Sequence, residues 1–173
     1  MSNKYLFNTL TGFFVYLIVQ VFLLKNLVLF GTAFCFLHVV FILLLPIETK
    51  TTPAMLIAFS LGLGVDIFYD TLGMHTAALV LVAALRSNWI KVLTPRGGYD
   101  EDLIPSVLNM GVGWWLSYSL PLLLLYHFLF FYIDNLGTDL YLPVLFKTIS
   151  STLFTFLMGM IVQVLFYKRK RGI

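Results

Sequence analysis

The sequence predicts an all-α membrane protein, a bundle of six transmembrane helices with little mass outside the bilayer. Two observations carry this prediction. Four stretches, Leu6 to Leu24, Asn26 to Ile47, Leu103 to Ile133 and Thr148 to Tyr167, contain no Asp, Glu, Lys or Arg. A hydrocarbon core of ~30 Å takes ~20 apolar residues in helix to cross. The composition agrees: 60% hydrophobic and 11% charged residues, with a mean hydropathy of +0.95, against roughly 25% charged in soluble domains. Helices are the expected element, because peptide groups in lipid must be bonded within the segment. Alternation of period two, the mark of a barrel, is absent.

Taken in order, the first span covers about residues 8–24 and ends at Lys25-Asn26. It is too long for a signal-peptide core, and no small-residue cleavage site follows it. The second covers about 32–47, where Glu48-Thr49-Lys50 marks a water boundary. The third, about 53–69, opens on Pro53, tolerated in a first turn where its missing N–H needs no partner. Asp70-Thr71 makes a tight turn into the fourth, about 72–93. Thr94 to Asp102, with Pro and Gly as breakers, is the most polar loop. The fifth runs over about 104–133, with Pro121 expected to kink it. Asn135 to Asp139 forms a second polar loop, and the sixth span covers about 143–167. The whole chain, 1–173, reads as one integral membrane domain.

Lys and Arg set the orientation. With six spans, Lys4, Lys50, Lys91, Arg96 and the terminal Lys168-Arg169-Lys170-Arg171 fall on one side, Lys25 and Lys147 on the other. Both termini are therefore expected in the cytoplasm. The basic cluster reads as a membrane-side signal, which removes nucleic acid as the reason for the net charge of +3. A single cysteine, Cys35, leaves redox compartment unreadable.

Charges within spans are costly and normally face a protein interior or cavity. Asp66 lies ~6 Å below the Asp70 turn on one side and His75 ~6 Å below it on the other, at 1.5 Å per residue. Equal depth on adjacent antiparallel helices allows them to hydrogen-bond, as an interhelical clasp, a ligand contact or a proton site. Arg86, ~20 Å from the turn, is expected to snorkel toward the face carrying Lys91. Ser60, Gly62 and Gly64 crowd one helix as small residues do where helices approach closely. Ser151, Thr155 and Gly159 repeat every four residues as a seam for packing within the bundle or against a partner helix. Trp114-Trp115 and Phe128 to Tyr132 read as bulky surface facing lipid or a partner.

Catalytic readings fail on their parts. Gly62-x3-Asp66-x3-Asp70 matches the tail of the CDP-alcohol phosphotransferase signature. Its upstream half would fall on Glu48, Thr49, Thr52 and Pro53, which lack the acidic-glycine pair and the arginine. No glycine-elbow serine pairs with a histidine and no HExxH is present. His38 and His127, isolated in apolar runs, read as packed or interfacial. No catalytic residue, metal or cofactor is expected.

The segment from Gly62 to His75, GLGVDIFYDTLGMH, resembles MreD, the rod-shape-determining membrane protein family. That family carries a G-L-x-x-D motif closing one span and an L-G-x-H-like motif opening the next, which here are Gly62, Gly64, Asp66, Asp70, Gly73 and His75. Arg86 in the fourth span and the loop Pro95-Arg96-Gly97-Gly98-Tyr99 look like one subgroup of the family, and the small multi-span layout agrees along the whole chain. The resemblance implies a non-enzymatic scaffold of the peptidoglycan elongation machinery in the bacterial inner membrane. Its implied partners are MreC foremost, then MreB and the glycosyltransferase and penicillin-binding protein pair, with membrane lipid around it. MreD proteins are similar in fold to the six-helix S-components of energy-coupling-factor transporters. A vitamin-type small-molecule binder is therefore the alternative function.

Overall fold

The computed structural model describes residues 3–99, 103–137 and 141–167, with side chains from Phe7 onward. The acidic run Asp100-Glu101-Asp102, Asp139, the terminal KRKR cluster and the Lys4 side chain lie outside the described residues. What is described is almost entirely helical. Helix α1 (Asn3–Ile18) runs on through a wider π-type turn, Val19–Leu24. A two-residue hairpin follows, β1 (Val28–Leu29) antiparallel to β2 (Ala33–Phe34), with Val28 opposite Phe34. Then come α2 (Leu37–Leu43), α3 (Thr51–Tyr69), α4 (Met74–Val92), α5 (Val107–Met110), α6 (Val112–Asp134) and α7 (Tyr141–Phe166).

Among the described residues, four helices are long and apolar enough to cross a membrane: Phe7–Leu24, α3, α6 and α7. Helix α4 matches α3 in length but dilutes its apolar residues with His75, Thr76, Arg86, Ser87, Asn88 and Lys91. It lies between α3 and α6 and buries Ala78, Leu79, Val82 and Ala83 completely.

The second expected span, 32–47, is not a spanning helix. Helix α2 has seven residues, ~10 Å of rise, or a third of the hydrocarbon thickness. All seven are buried. Apolarity is what hydropathy registers, and a segment enclosed by protein on every side is as apolar as one facing lipid. Pro46 stops the helix, because its ring disfavours helical backbone in the residue before it. The chain nevertheless crosses the bundle here. Lys25 donates to the carbonyl of Phe68 near the far end of α3 (2.6 Å), whereas Lys50 caps the beginning of α3.

The fifth span also starts later than expected. Residues 104–106 are non-helical, α5 is a single turn capped by Ser106, and Gly111 at φ +84° separates it from α6. Within α6, Pro121 cannot donate to the carbonyl of Ser117 four residues back. The indole N–H of Trp89 on α4 takes that acceptor instead, at 3.2 Å.

Candidate functional site

The motif segment forms the corner joining α3 to α4. Asp70 (φ +60°), Leu72 (φ +49°) and Gly73 (φ +91°) are left-handed, which reverses the chain in four residues. Gly73 is the N-cap of α4 and has no side chain with which to cap it. Asp66, seven residues upstream, does so instead. Its Oδ1 accepts from the Thr71 hydroxyl (2.5 Å) and the His75 backbone N–H (3.0 Å). Its Oδ2 accepts from the Thr76 N–H (2.8 Å) and hydroxyl (2.5 Å). The first N–H groups of a helix lack intrahelical partners, and the helix dipole favours a negative charge there. A buried carboxylate with four donors at a helix start is thereby fully satisfied.

Asp66 and His75 do meet, but through the His75 backbone rather than its ring. Gly62 explains how the helices come so close: a Cβ there would sit 2.6 Å from the Thr76 Cα. At Gly64 it would meet only the flexible Leu17 side chain, at 3.2 Å. Asp70 is exposed at the corner's tip.

The His75 ring points into the bundle, where its Nδ1 lies 2.5 Å from the Tyr126 hydroxyl; His38 Nε2 lies 2.8 Å from the same oxygen. One hydroxyl carries one proton, so Tyr126 donates to one histidine and accepts from the other. Because His75 presents Nδ1 and His38 presents Nε2, the two rings are therefore held in the same tautomer, both Nε2–H or both Nδ1–H. His38 Nδ1 and His75 Nε2, the outer nitrogens, have no hydrogen-bond partner among the described residues. Phe36 packs among these rings, 4.9 Å from His75 and 5.5 Å from His127 between centroids. His127 itself reaches the Leu123 carbonyl (2.7 Å) and Thr155 Oγ1 (3.2 Å). His38 and His127, isolated in the sequence, are thus neighbours of His75 in space. Among the described residues, no three His, Cys, Asp or Glu side chains converge on a metal position.

The Ser151-Thr155-Gly159 seam faces inward, not toward a partner helix. Phe34 N–H donates to Ser151 Oγ (2.9 Å) and Phe36 N–H to Thr155 Oγ1 (3.1 Å). A Cβ at Gly159 would meet Val40 at 3.0 Å. Gln20, in the π-type turn of α1, completes the set. It donates to the Cys35 carbonyl (3.0 Å) and the Tyr69 hydroxyl (2.7 Å) and accepts from His38 N–H (3.3 Å). The irregular backbone between α1 and α2 is thus bonded by side chains, the condition for non-helical backbone at membrane depth. Sequence reasoning passed over Gln20 and Tyr126. The available signal was a lone amide or hydroxyl in an apolar span, which must find a partner inside the bundle.

At the opposite end Arg86 does not snorkel; it is completely buried. Its Nη2 donates to the carbonyls of Leu45 and Pro46, and its Nε to the Tyr118 hydroxyl at 2.9 Å. Tyr118 in turn donates to the Leu43 carbonyl (2.9 Å). The cation therefore closes the C-terminal end of α2, where carbonyls lack partners and the dipole is negative. Trp115 is also fully buried, against Tyr118, so it is no surface residue. Trp114 is half-buried and stacks on Tyr118 at 4.9 Å. Tyr99 donates to the Leu93 carbonyl (2.9 Å) and accepts from the Trp114 indole (3.3 Å), while Pro95 and Arg96 are exposed.

No protein-family model, curated protein or solved structure matches the chain. What can be said of the site's chemistry therefore comes from its geometry. Asp66, Arg86, Gln20, Ser151 and Thr155 direct their polar atoms mainly at this chain's own backbone. They hold helix ends and a broken segment in place.

Proposed function

We propose that the chain is a non-enzymatic membrane scaffold of the cell-elongation machinery, of the kind MreD provides, working by holding MreC and through it the peptidoglycan-synthesis enzymes. The observation that carries this reading is what the motif residues do. Gly62 permits the α3–α4 contact, Asp66 caps α4, Gly73 turns the chain and His75 enters the core. A motif devoted to one rigid corner suits a protein whose product is a shape. The reading places the chain in the bacterial inner membrane, with six passes counting the broken segment and both termini in the cytoplasm. The vitamin-binding alternative is less well supported, because the centre of the bundle is filled by Phe36, His38, His75, Tyr126 and Phe130, all buried.

With the seam turned inward, a partner helix has to meet an outer face, such as Leu153, Leu157 and Ile161 on α7, all exposed. Close packing of helices in lipid is the relevant attraction. The test is copurification. Tagged wild-type protein should retain MreC from the same organism in mild detergent, and Asp66→Ala, which weakens the α3–α4 corner, should retain less. Leu157→Trp should weaken retention while leaving thermal unfolding unchanged. Folded wild-type protein that never retains MreC overturns the proposal.

A further inference from the structure

We propose that the outer face of α7 beside Lys147 is a binding site for an anionic phospholipid. It requires only that the chain reside in a membrane, and does not depend on the scaffold reading. A cavity of about 550 Å³ lies along this face, lined by Leu142, Pro143, Leu145, Phe146 and Ile149, with Thr32 of the hairpin at its side and Lys147 in its wall. The lining is apolar apart from Thr32 and the ammonium. It extends over the first two to three turns of α7, the depth at which a lipid places the upper part of an acyl chain.

Lys147 is the unusual member. It lies six residues, ~9 Å, inside the helix that begins at Tyr141. An ionisable residue at such depth normally has a partner. Among the described residues the Lys147 ammonium has only the face of Phe131, 5.9 Å from the ring centroid, and no hydrogen bond or ion pair. Lys25, at the same end of the bundle, is different: its ammonium is donated to the Phe68 carbonyl at 2.6 Å. A lysine stem is long enough to lift its ammonium toward the start of α7. At that level lipid phosphates lie. A molecule with a negative head and an apolar tail fits both halves of the site at once, the phosphate meeting Lys147 and the chain filling the groove. A zwitterionic lipid has the same phosphate but also a cationic group that opposes Lys147, so it gains less at the head of the site.

The experiment is native mass spectrometry of the full-length protein, released from micelles holding equal amounts of phosphatidylglycerol and phosphatidylcholine. One lysine near the membrane surface corresponds to roughly a fivefold preference for the anionic lipid, so wild-type protein should retain phosphatidylglycerol by about that ratio. Lys147→Gln should bring the ratio close to one, and Lys147→Arg should keep it. Ile149→Trp, which fills the groove, should lower retention of both lipids; wild-type retention in this variant overturns the groove assignment. Lys25→Gln should leave the ratio within about twofold of wild type. No preference in the wild type, or full preference in Lys147→Gln, overturns the proposal. An equal fall in Lys25→Gln also overturns it, because attraction would then belong to the surface at large. Each variant's unfolding temperature is measured alongside, and Lys147→Arg supplies the reading if Lys147→Gln does not fold.

Discussion

Replacing Asp66 by alanine removes four hydrogen bonds at once, and the structure allows the loss to be apportioned. The Thr71 and Thr76 hydroxyls can rotate toward other acceptors. The backbone N–H groups of His75 and Thr76 cannot, since both are fixed in the first turn of α4. Each buried N–H left without an acceptor costs about 1–3 kcal/mol. The lost attraction between carboxylate and helix dipole adds about 0.3–2 kcal/mol. The sum, about 5 kcal/mol at its centre, is a large part of the ~5–15 kcal/mol that holds an ordinary domain together. The midpoint of thermal unfolding in detergent, followed by fluorescence or by loss of the monodisperse elution peak, should fall by about 10–20 °C for a chain of this size. Asp66→Asn separates charge from geometry. It keeps one acceptor for the His75 N–H and turns an NH₂ toward the Thr76 N–H, so its loss should lie between those of wild type and alanine. An alanine variant melting within about 2 °C of wild type would refute the capping argument, as would an asparagine variant less stable than alanine.

Tyr126→Phe should destabilise by roughly 2–4 kcal/mol, because it strips the partner from both His38 Nε2 and His75 Nδ1; the same melting assay reads it. The three glycines of the motif should rank by what their new Cβ meets. Gly62→Ala, against the Thr76 backbone at 2.6 Å, should cost about 1–3 kcal/mol, and Gly64→Ala, against the movable Leu17 side chain, clearly less. Gly73→Ala meets no atom within 4 Å but is held at φ +91°, so its loss of about 1–2 kcal/mol is pure backbone strain. Arg86→Lys keeps the charge but offers a single ammonium in place of the fork that serves Leu45, Pro46 and Tyr118. It should lose about 2 kcal/mol, seen as faster hydrogen exchange in α2; exchange equal to wild type would show that the fork's geometry is immaterial.

Much of this architecture is legible in the sequence, and the misreadings share one cause. Long apolar runs located α1, α3, α6 and α7, and Asp70-Thr71 located the corner, because lipid-facing helices and their turns impose simple rules on residue type. Residues 32–47 and Arg86 were misread because a window of hydropathy cannot tell lipid from protein as surroundings. Leu37 to Leu43 is apolar because it is enclosed, and Arg86 is tolerated at depth because carbonyls await it. The seam of Ser151, Thr155 and Gly159 was visible as a pattern, but its direction depended on which face of α7 met the hairpin, a tertiary fact. The histidine pair bridged by Tyr126 was illegible for the same reason: its members lie 37 and 51 positions apart along the chain, on α2, α4 and α6.

The broken segment between α1 and α3 constrains the order in which the protein can be assembled. Peptide groups left bare in hydrocarbon cost several kcal/mol each, and those of Phe34 and Phe36 are covered by hydroxyls of α7. The carbonyls of Leu43, Leu45 and Pro46 are covered by α4 and α6. None of these partners has emerged when residues 28–46 leave the ribosome. The segment cannot take its final place until more than a hundred further residues have emerged, so it must wait at the membrane surface or in the insertion machinery. A chain cut short before Ser151 lacks the groups that cover the hairpin backbone. Insertion of this protein therefore ends with its beginning.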